Sequence, residues 1–310
     1  MRSPGDALAS ALIQSRFDAW VETWPGHATR FGIHQHDGRL PDLSRAAKEA
    51  DIAAEHDFVR QLEGLDPAGL SDDVAFEREL ALHGARLRLF EDEVVRGWER
   101  TSDATDEIGS ALFLLAAREF APLEERLVPL TERIQAIPEA LDQVRDRLGD
   151  DPVRLWLSQE QGSAGELPTF LHEIVASAET VWADGSPRMR RLQTAVGAAG
   201  DALLGYSAWI EARLKRAGDR TALGSAELDE LVALRAFDGL STDDILAIGI
   251  EQLAVQHEAR RQAGTEIDPA LDEAAVVERV KADGPANFET ALVAYREAMM
   301  RARAFIAEHE

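Results

Sequence analysis

The chain reads as all-α, a multi-helix array of about ten or more helices forming a single domain over residues 1–310. Three observations predict this. Apolar residues recur at steps of three and four along almost the whole length, no stretch alternates with the period of two that a half-buried strand needs, and the commonest interruptions are the cap-then-proline pairs that open helices. With 45% apolar residues in 310, a sizeable core can be filled.

Ser3 before Pro4 predicts the first start, and Leu8, Leu12, Ile13, Phe17, Trp20 and Trp24 give that helix one apolar face, stopped by Pro25-Gly26. The stretch from Phe17 to Ser44 holds two tryptophans, three of the eight histidines and several Gly and Pro breaks, so it carries much of the identity of the chain. Asp42 or Ser44 can cap a second helix bearing Ile52, Phe58, Val59 and Leu62, which Gly64 ends. Ser71 with Asp72 and Asp73 opens a third, whose stripe runs from Phe76 through Leu80, Leu87, Phe90 and Val94 to Trp98. From Ile108 to Phe120 the sequence is apolar nearly all round, the mark of a central helix.

Pro122 and Pro138 are expected to open or kink two successive helices, with a further kink at Pro129. After Asp151-Pro152, a helix with Leu155 and Trp156 is expected to be interrupted by Gly162 and Gly165 and to resume at Pro168. Ser186-Pro187 starts the longest helix, which Gly218 ends, and Gly197, Gly200 and Gly205 thin one side for the close approach of a neighbour. Four shorter predictions follow: Ser225 to Ala236, a helix capped by Ser241 with Asp244, one after Asp268-Pro269, and a last from Asn287. That last helix shows Phe288, Leu292, Tyr295, Met299 and Ile306 on one side and continues to Glu310, which predicts a docking face or the front part of something longer.

Charge and composition exclude several functions. The formal charge of -24 repels phosphate backbones and anionic lipid, so neither nucleic acid nor membrane is expected as a partner. Cysteine is absent, which removes disulfides and thiolate chemistry, and no secretory signal or membrane span is legible, so the expected location is cytoplasmic. Positive charge sits on arginine apart from Lys48, Lys215 and Lys281, and arginine's planar fork suits fixed ion pairs between helices.

No complete catalytic centre can be read. A zinc helix of the His-Glu-x-x-His kind needs two histidines four apart, and neither His172-Glu173 nor His257-Glu258 has the second. Gly205-Tyr206-Ser207 lies in a helix and lacks the pattern of a nucleophile elbow. Glu124-Glu125 and Asp72-Asp73 are adjacent on helices, so their carboxylates point apart. The most ligand-like group is His34, His36 and Asp37, two imidazoles and an acid in an expected extended segment, weighed against a loop whose histidines cap helices or bond carbonyls. Glu107 and Arg118, beside Glu119, flank the most apolar helix and are expected to enter buried charge pairs. Trp156 is expected to line a cleft or anchor a helix contact.

Residues Ala28 to Ser44, ATRFGIHQHDGRLPDLS, and Asp106 to Leu127, DEIGSALFLLAAREFAPLEERL, resemble the bacterial domain-of-unknown-function 885 family. IPEAL at Ile137, Gly205-Tyr206, LSTDDILAIGIEQL at Leu240 and AYREAMMRARAFI near the end follow in the family's order. The resemblance spans nearly the whole chain. It implies a largely helical, two-sided body around a deep cleft, similar to zinc metallopeptidases of the thermolysin-like superfamily. It also implies a zinc motif, His-Glu-x-x-Pro-Gly-His, beyond the region covered here. Val21 to His27 imitates that motif but has valine in place of its first histidine, and no family ligand can be carried onto a residue of this chain.

The expectation is therefore the N-terminal, substrate-cleft half of a metallopeptidase-like hydrolase, inactive alone, with no cofactor of its own. Peptide or a missing C-terminal half would be its partner. The alternative is a non-catalytic helical binding or protein-interaction module.

Overall fold

The computed structural model describes residues 3–235 and 239–309, so Ala236 and Glu310, to which two of the expected helices extend, lie outside the described residues. The described residues form helices and turns, and their sole strand-like pairing is an isolated bridge between Val153 and Gly218. The all-α expectation is met. The chain divides into two compact units, Met1–Phe237 and Asp238–Glu310.

In the first unit, α1 (Pro4–Thr23), α2 (Pro25–Arg30), α3 (Arg45–Glu63) and α4 (Asp72–Phe90) come first. Ser3 and Asp6 make the capping box of α1, and Asp6 reaches further to accept the Ser71 N–H at 2.8 Å, tying the start of α1 to that of α4. Phe58, Leu62, Leu82 and Ala85 form a small core between α3 and α4, and Leu12 and Ile13 of α1 pack against it. The expected faces of α1 and α4 are only partly buried. Leu8, Phe17, Phe76 and Leu80 are exposed, while Ala9 and Val21 turn inward. Pro25 also opens α2 instead of merely stopping α1, because proline lacks only an N–H that the first helical turn leaves unpaired. The stripe expected to reach Trp98 breaks in a π-turn, Glu91–Val95, and at left-handed Arg96 (φ 51°) before the short α5 (Gly97–Arg100).

The main core belongs to α6 (Ala104–Ala117), α7 (Leu123–Arg147), α8 (Arg154–Ala178) and α9 (Pro187–Leu214), with α10 (Ser225–Arg235) after them. Ile108, Leu112 and Leu115 are fully buried, so α6 is central as predicted. Pro122 opens α7 as expected, but two predicted separations into different helices fail here for one reason. Leu123–Arg147 is one helix through Pro129 and Pro138, and Arg154–Ala178 is one helix through Gly162, Gly165 and Pro168. On α7, Leu127, Leu130, Ile134, Ile137, Leu141 and Val144 are all buried. At about 1.5–3 kcal/mol per large aliphatic side chain, their burial outweighs roughly 3 kcal/mol for each interior proline.

Ser186 caps α9 through the Met189 N–H, as expected. Its glycines do less than expected: a Cβ at Gly197 or Gly200 would meet nothing within 4 Å, and only Gly205 has a close neighbour, the Arg145 guanidinium.

The second unit contains α11 (Thr242–Ile267), α12 (Glu273–Ala282) and α13 (Phe288–His309). Ser241 and Asp244 form the expected capping box, while α12 starts from Asp272 rather than Pro269. This unit has little interior: Gly264 of α11 and Val276 of α12 are buried, and α13 buries none of its residues.

Candidate functional site

The polar residues that come closest to a site gather where α2 meets α6 and α7. Gly26 lies at the contact. A Cβ there would sit 3.4 Å from the Ala111 Cβ and 3.3 Å from Glu107 Oε1, so the absence of a side chain lets α2 approach α6. Beneath it Arg133 of α7 is 0% exposed. Its Nε donates to the Arg39 carbonyl (2.9 Å), its Nη1 to the Ala111 carbonyl (2.6 Å), and its Nη2 to the Pro25 carbonyl (3.2 Å) and Thr29 Oγ1 (2.7 Å). Thr29 in turn donates to Asp37 Oδ1 at 2.6 Å, which leaves that carboxylate 3.9 Å from the guanidinium. One buried cation thus gathers carbonyls from α2, α6 and the following loop. Burial lowers its pKa to about 10, against the pull of Asp37 and Glu107.

Beside this cluster a hollow of about 70 Å³ is lined by Gly26, His27, Arg30, Glu107 and Ser110. Burial raises the Glu107 carboxyl, reinforced by Asp103 and opposed by Arg133 and Arg30. His27, with the Trp20 ring 5.2 Å away and the edge of Trp24 at 6.3 Å, is pushed down by burial and by Arg30. Both groups are moved toward their neutral forms, which suits proton exchange with water. A hollow of this size admits waters or a very small molecule and excludes a peptide.

The residues singled out from the sequence fall into separate places. Gln35 to Gly38 form a run of turns, so His34 to Asp37 is not an extended segment. Asp37 is buried and occupied by Thr29 and by His34 Nδ1 (2.8 Å), and the His34 ring stacks on Phe120 at 3.9 Å. His34 and His36 both line a wider recess with Phe17 and Asp18. With one carboxylate oxygen taken by Thr29 and the other by the His34 imidazole, Asp37 is not free to share a metal with the two histidines, and these residues do not fit a zinc ion. Among the described residues, no group of three or more His, Asp and Glu side chains is placed to hold a metal.

Glu107 is half-buried, as its expected charge pairing required, but Arg118 and Glu119 are exposed. Arg118 donates to the Arg30 carbonyl at 2.9 Å instead of entering a buried pair. It lies beyond the last turn of α6, where the chain has already left the core. Trp156 is half-buried under the Arg100 guanidinium, 5.5 Å from its ring centre.

Sequence reasoning missed the second buried polar cluster as well as Arg133. Glu160 of α8, 4% exposed, accepts from the Thr105 N–H (3.1 Å), Thr105 Oγ1 (2.7 Å), Tyr206 Oη (2.8 Å) and Ser102 Oγ (3.3 Å). Burial raises its pKa, and burial with the Glu160 charge also raises the Tyr206 phenol. A signal for both was present. Glu160 falls on the three-and-four spacing of Leu157, Ala164, Leu167 and Leu171, and Arg133 sits between Leu130, Ile134 and Ile137. A charge on an apolar stripe marks a polar group inside.

No helix among the described residues is long and apolar enough to cross a membrane. No curated relative matches the chain. A solved structure described as a putative lipoprotein of unknown function from Shewanella oneidensis is similar over 88% of this chain and 52% of its own, at 16% identity and a TM-score of 0.65. The chain therefore spans about half the length of that protein, and at this identity the likeness is one of fold. The family described as bacterial protein of unknown function (DUF885) matches residues 25–310. With the match covering all but the first helix, the chain belongs to the DUF885 family.

Proposed function

We propose that the chain is the front, substrate-cleft half of a metallopeptidase-like hydrolase, inactive alone, with a C-terminal half as its partner and peptide as its substrate. The observation that supports this reading is α13, which leaves Phe288, Tyr295, Met299, Met300, Phe305 and Ile306 in water. Phe288, Tyr295, Met299 and Ile306 share one side of the helix, and an apolar face of this kind is ordinarily covered by another surface. The solved neighbour, about half of which this chain spans, is consistent with such a fold being carried further in a longer protein. In this reading the zinc ligands belong to the other half.

The purified chain is expected to bind no stoichiometric zinc in equilibrium dialysis and to cleave nothing in a peptide library. Either activity in the chain alone would overturn the proposal. A cytoplasmic location is part of it, to be checked by cell fractionation. The second reading, a non-catalytic helical binding or interaction module, is favoured by the polar clusters, since the side chains of Arg133, Asp37 and Glu160 are all engaged in packing elements together. The coding sequence after the codon for Glu310 separates the two. A stop there supports the interaction module, and further helical sequence with a metal-binding His-Glu motif supports the hydrolase half.

A further inference from the structure

A hollow of about 220 Å³ opens between α1, α3 and α4, away from the Arg133 cluster. Its apolar wall is made by Phe17, Trp20, Phe58 and Leu80. Its charged wall is Arg16 and Arg88, and no acidic side chain lines it, although the chain as a whole carries a formal charge of -24. Behind that wall lies Glu55, 3% exposed and gripped from two sides. Arg16 donates to it through Nε at 2.8 Å and to Asp51 through Nη2 at 2.8 Å, and Arg88 donates to it through Nε at 2.9 Å.

Glu55 therefore fixes two guanidiniums in place while both use only their Nε and Nη2 groups. Neither Nη1 has a hydrogen-bond acceptor among the described residues. The Arg88 Nη1 lies beside Gly84, 3.4 Å from where a Cβ would stand, so it is at the wall of the hollow and not behind it. A preformed cation with vacant donors next to an aromatic and aliphatic wall is a receptor for a carboxylate on an apolar body.

Size narrows the class. A cavity of roughly 150 Å³ is enough for benzene, so about 220 Å³ accommodates one ring or branched side chain with a short linker. We infer that this hollow binds a small hydrophobic carboxylate, an aromatic or branched acid of the kind that a peptide presents at its C-terminal residue. Guanidinium N–H groups of Arg16 and Arg88 would take the carboxylate, and the ring would lie against Trp20 and Phe58. This inference does not depend on the hydrolase reading, because it requires binding and no chemistry.

The test is calorimetric titration of the full chain with 3-phenylpropanoate and with its uncharged amide, and with acetyl-Gly-Gly-Phe bearing a free or an amidated C-terminus. Both acids are expected to bind one to one in the millimolar range or tighter, at least tenfold better than the matching amides. Gly84→Leu, whose Cβ would stand in ordinary contact with the Arg88 Nη1 and whose branches would fill the hollow, is expected to abolish binding while the thermal melt stays that of a folded protein. Arg88→Gln is expected to erase the preference for acid over amide. Tighter binding of the peptide acid than of phenylpropanoate assigns the site to peptide C-termini, and the reverse assigns it to free acids. Acid and amide binding equally, Gly84→Leu binding like the parent, or no heat with any ligand at millimolar concentration overturns the inference.

Discussion

Arg133 and Glu160 are both ionisable and both buried, yet the groups at hydrogen-bond distance from each are neutral. Arg133 is surrounded by three carbonyls and a hydroxyl, with Asp37 at 3.9 Å, whereas Glu160 is surrounded by one N–H and three hydroxyls and no cation. What the difference teaches concerns the proton. A guanidinium keeps its proton across the whole range in which the protein works, so burying it leaves a charge that dipoles and nearby carboxylates must answer. A carboxyl can instead take up a proton as the medium becomes more acidic, and the burial that raises Glu160 favours that escape. The two clusters should therefore respond differently to mutation and to pH.

Replacing Arg133 should have the largest effect. Arg133→Met leaves the Pro25, Ala111 and Arg39 carbonyls and Asp37 facing a methyl group, and the expected loss is about 3–5 kcal/mol in urea unfolding, with α2 the first segment to lose hydrogen-exchange protection. A loss below about 1 kcal/mol would mean that the carbonyls find other donors.

A smaller and pH-dependent effect is expected at Glu160. Its folded pKa is raised above the unfolded value, so the folded state carries the proton more readily. The cost of an ionised Glu160 is absent below the ordinary carboxylate pKa and grows as pH rises through and beyond it. Relative to Glu160→Gln, the parent should lose stability as pH rises from the ordinary carboxylate range toward neutrality, by up to about 1.4 kcal/mol for each unit by which burial raises the group. An unchanged difference between the two proteins across that range would place the proton elsewhere. Arg133→Met should show the opposite trend, its deficit growing as pH rises, because the variant lacks the cation that opposes the raised Glu107 carboxyl.

The smallest effect belongs to Arg118, which shares with Arg133 the donation to a backbone carbonyl but not the burial. Arg118→Ala should change stability by no more than about 0.5 kcal/mol. Thermal unfolding of this variant measures how much of the Arg133 effect comes from burial and how much from the hydrogen bonds themselves.

The residues weighed as metal ligands against an ordinary loop, His34, His36 and Asp37, show how far local spacing reaches. Sequence proximity put them together, and the turns of the loop then pointed Asp37 inward to Thr29 and left the two imidazoles beside a recess. Glu107 drew notice because a charge next to an apolar helix is visible in one dimension, and it is half-buried. The residues that define its surroundings, His27, Arg30 and Arg133, come from two other helices, and no spacing rule connects them to it.

Sequence alone determined the all-α class, the central place of the helix carrying Ile108, and the starts at Ser3, Ser186 and Ser241, while it left the second helix to be capped by Asp42 or Ser44. Each cap is a hydrogen bond across three residues, so its information is local. Tertiary structure decided that α7 and α8 run on through Pro129, Pro138 and Pro168, that Phe17 and Leu80 stay in water beside a cationic hollow, and that Arg133 and Glu160 lie inside. These outcomes depend on free energies summed over surfaces supplied by several helices. The burial of a whole helix face overrides a local break, and a charge becomes tolerable inside only where distant segments bring it enough dipoles.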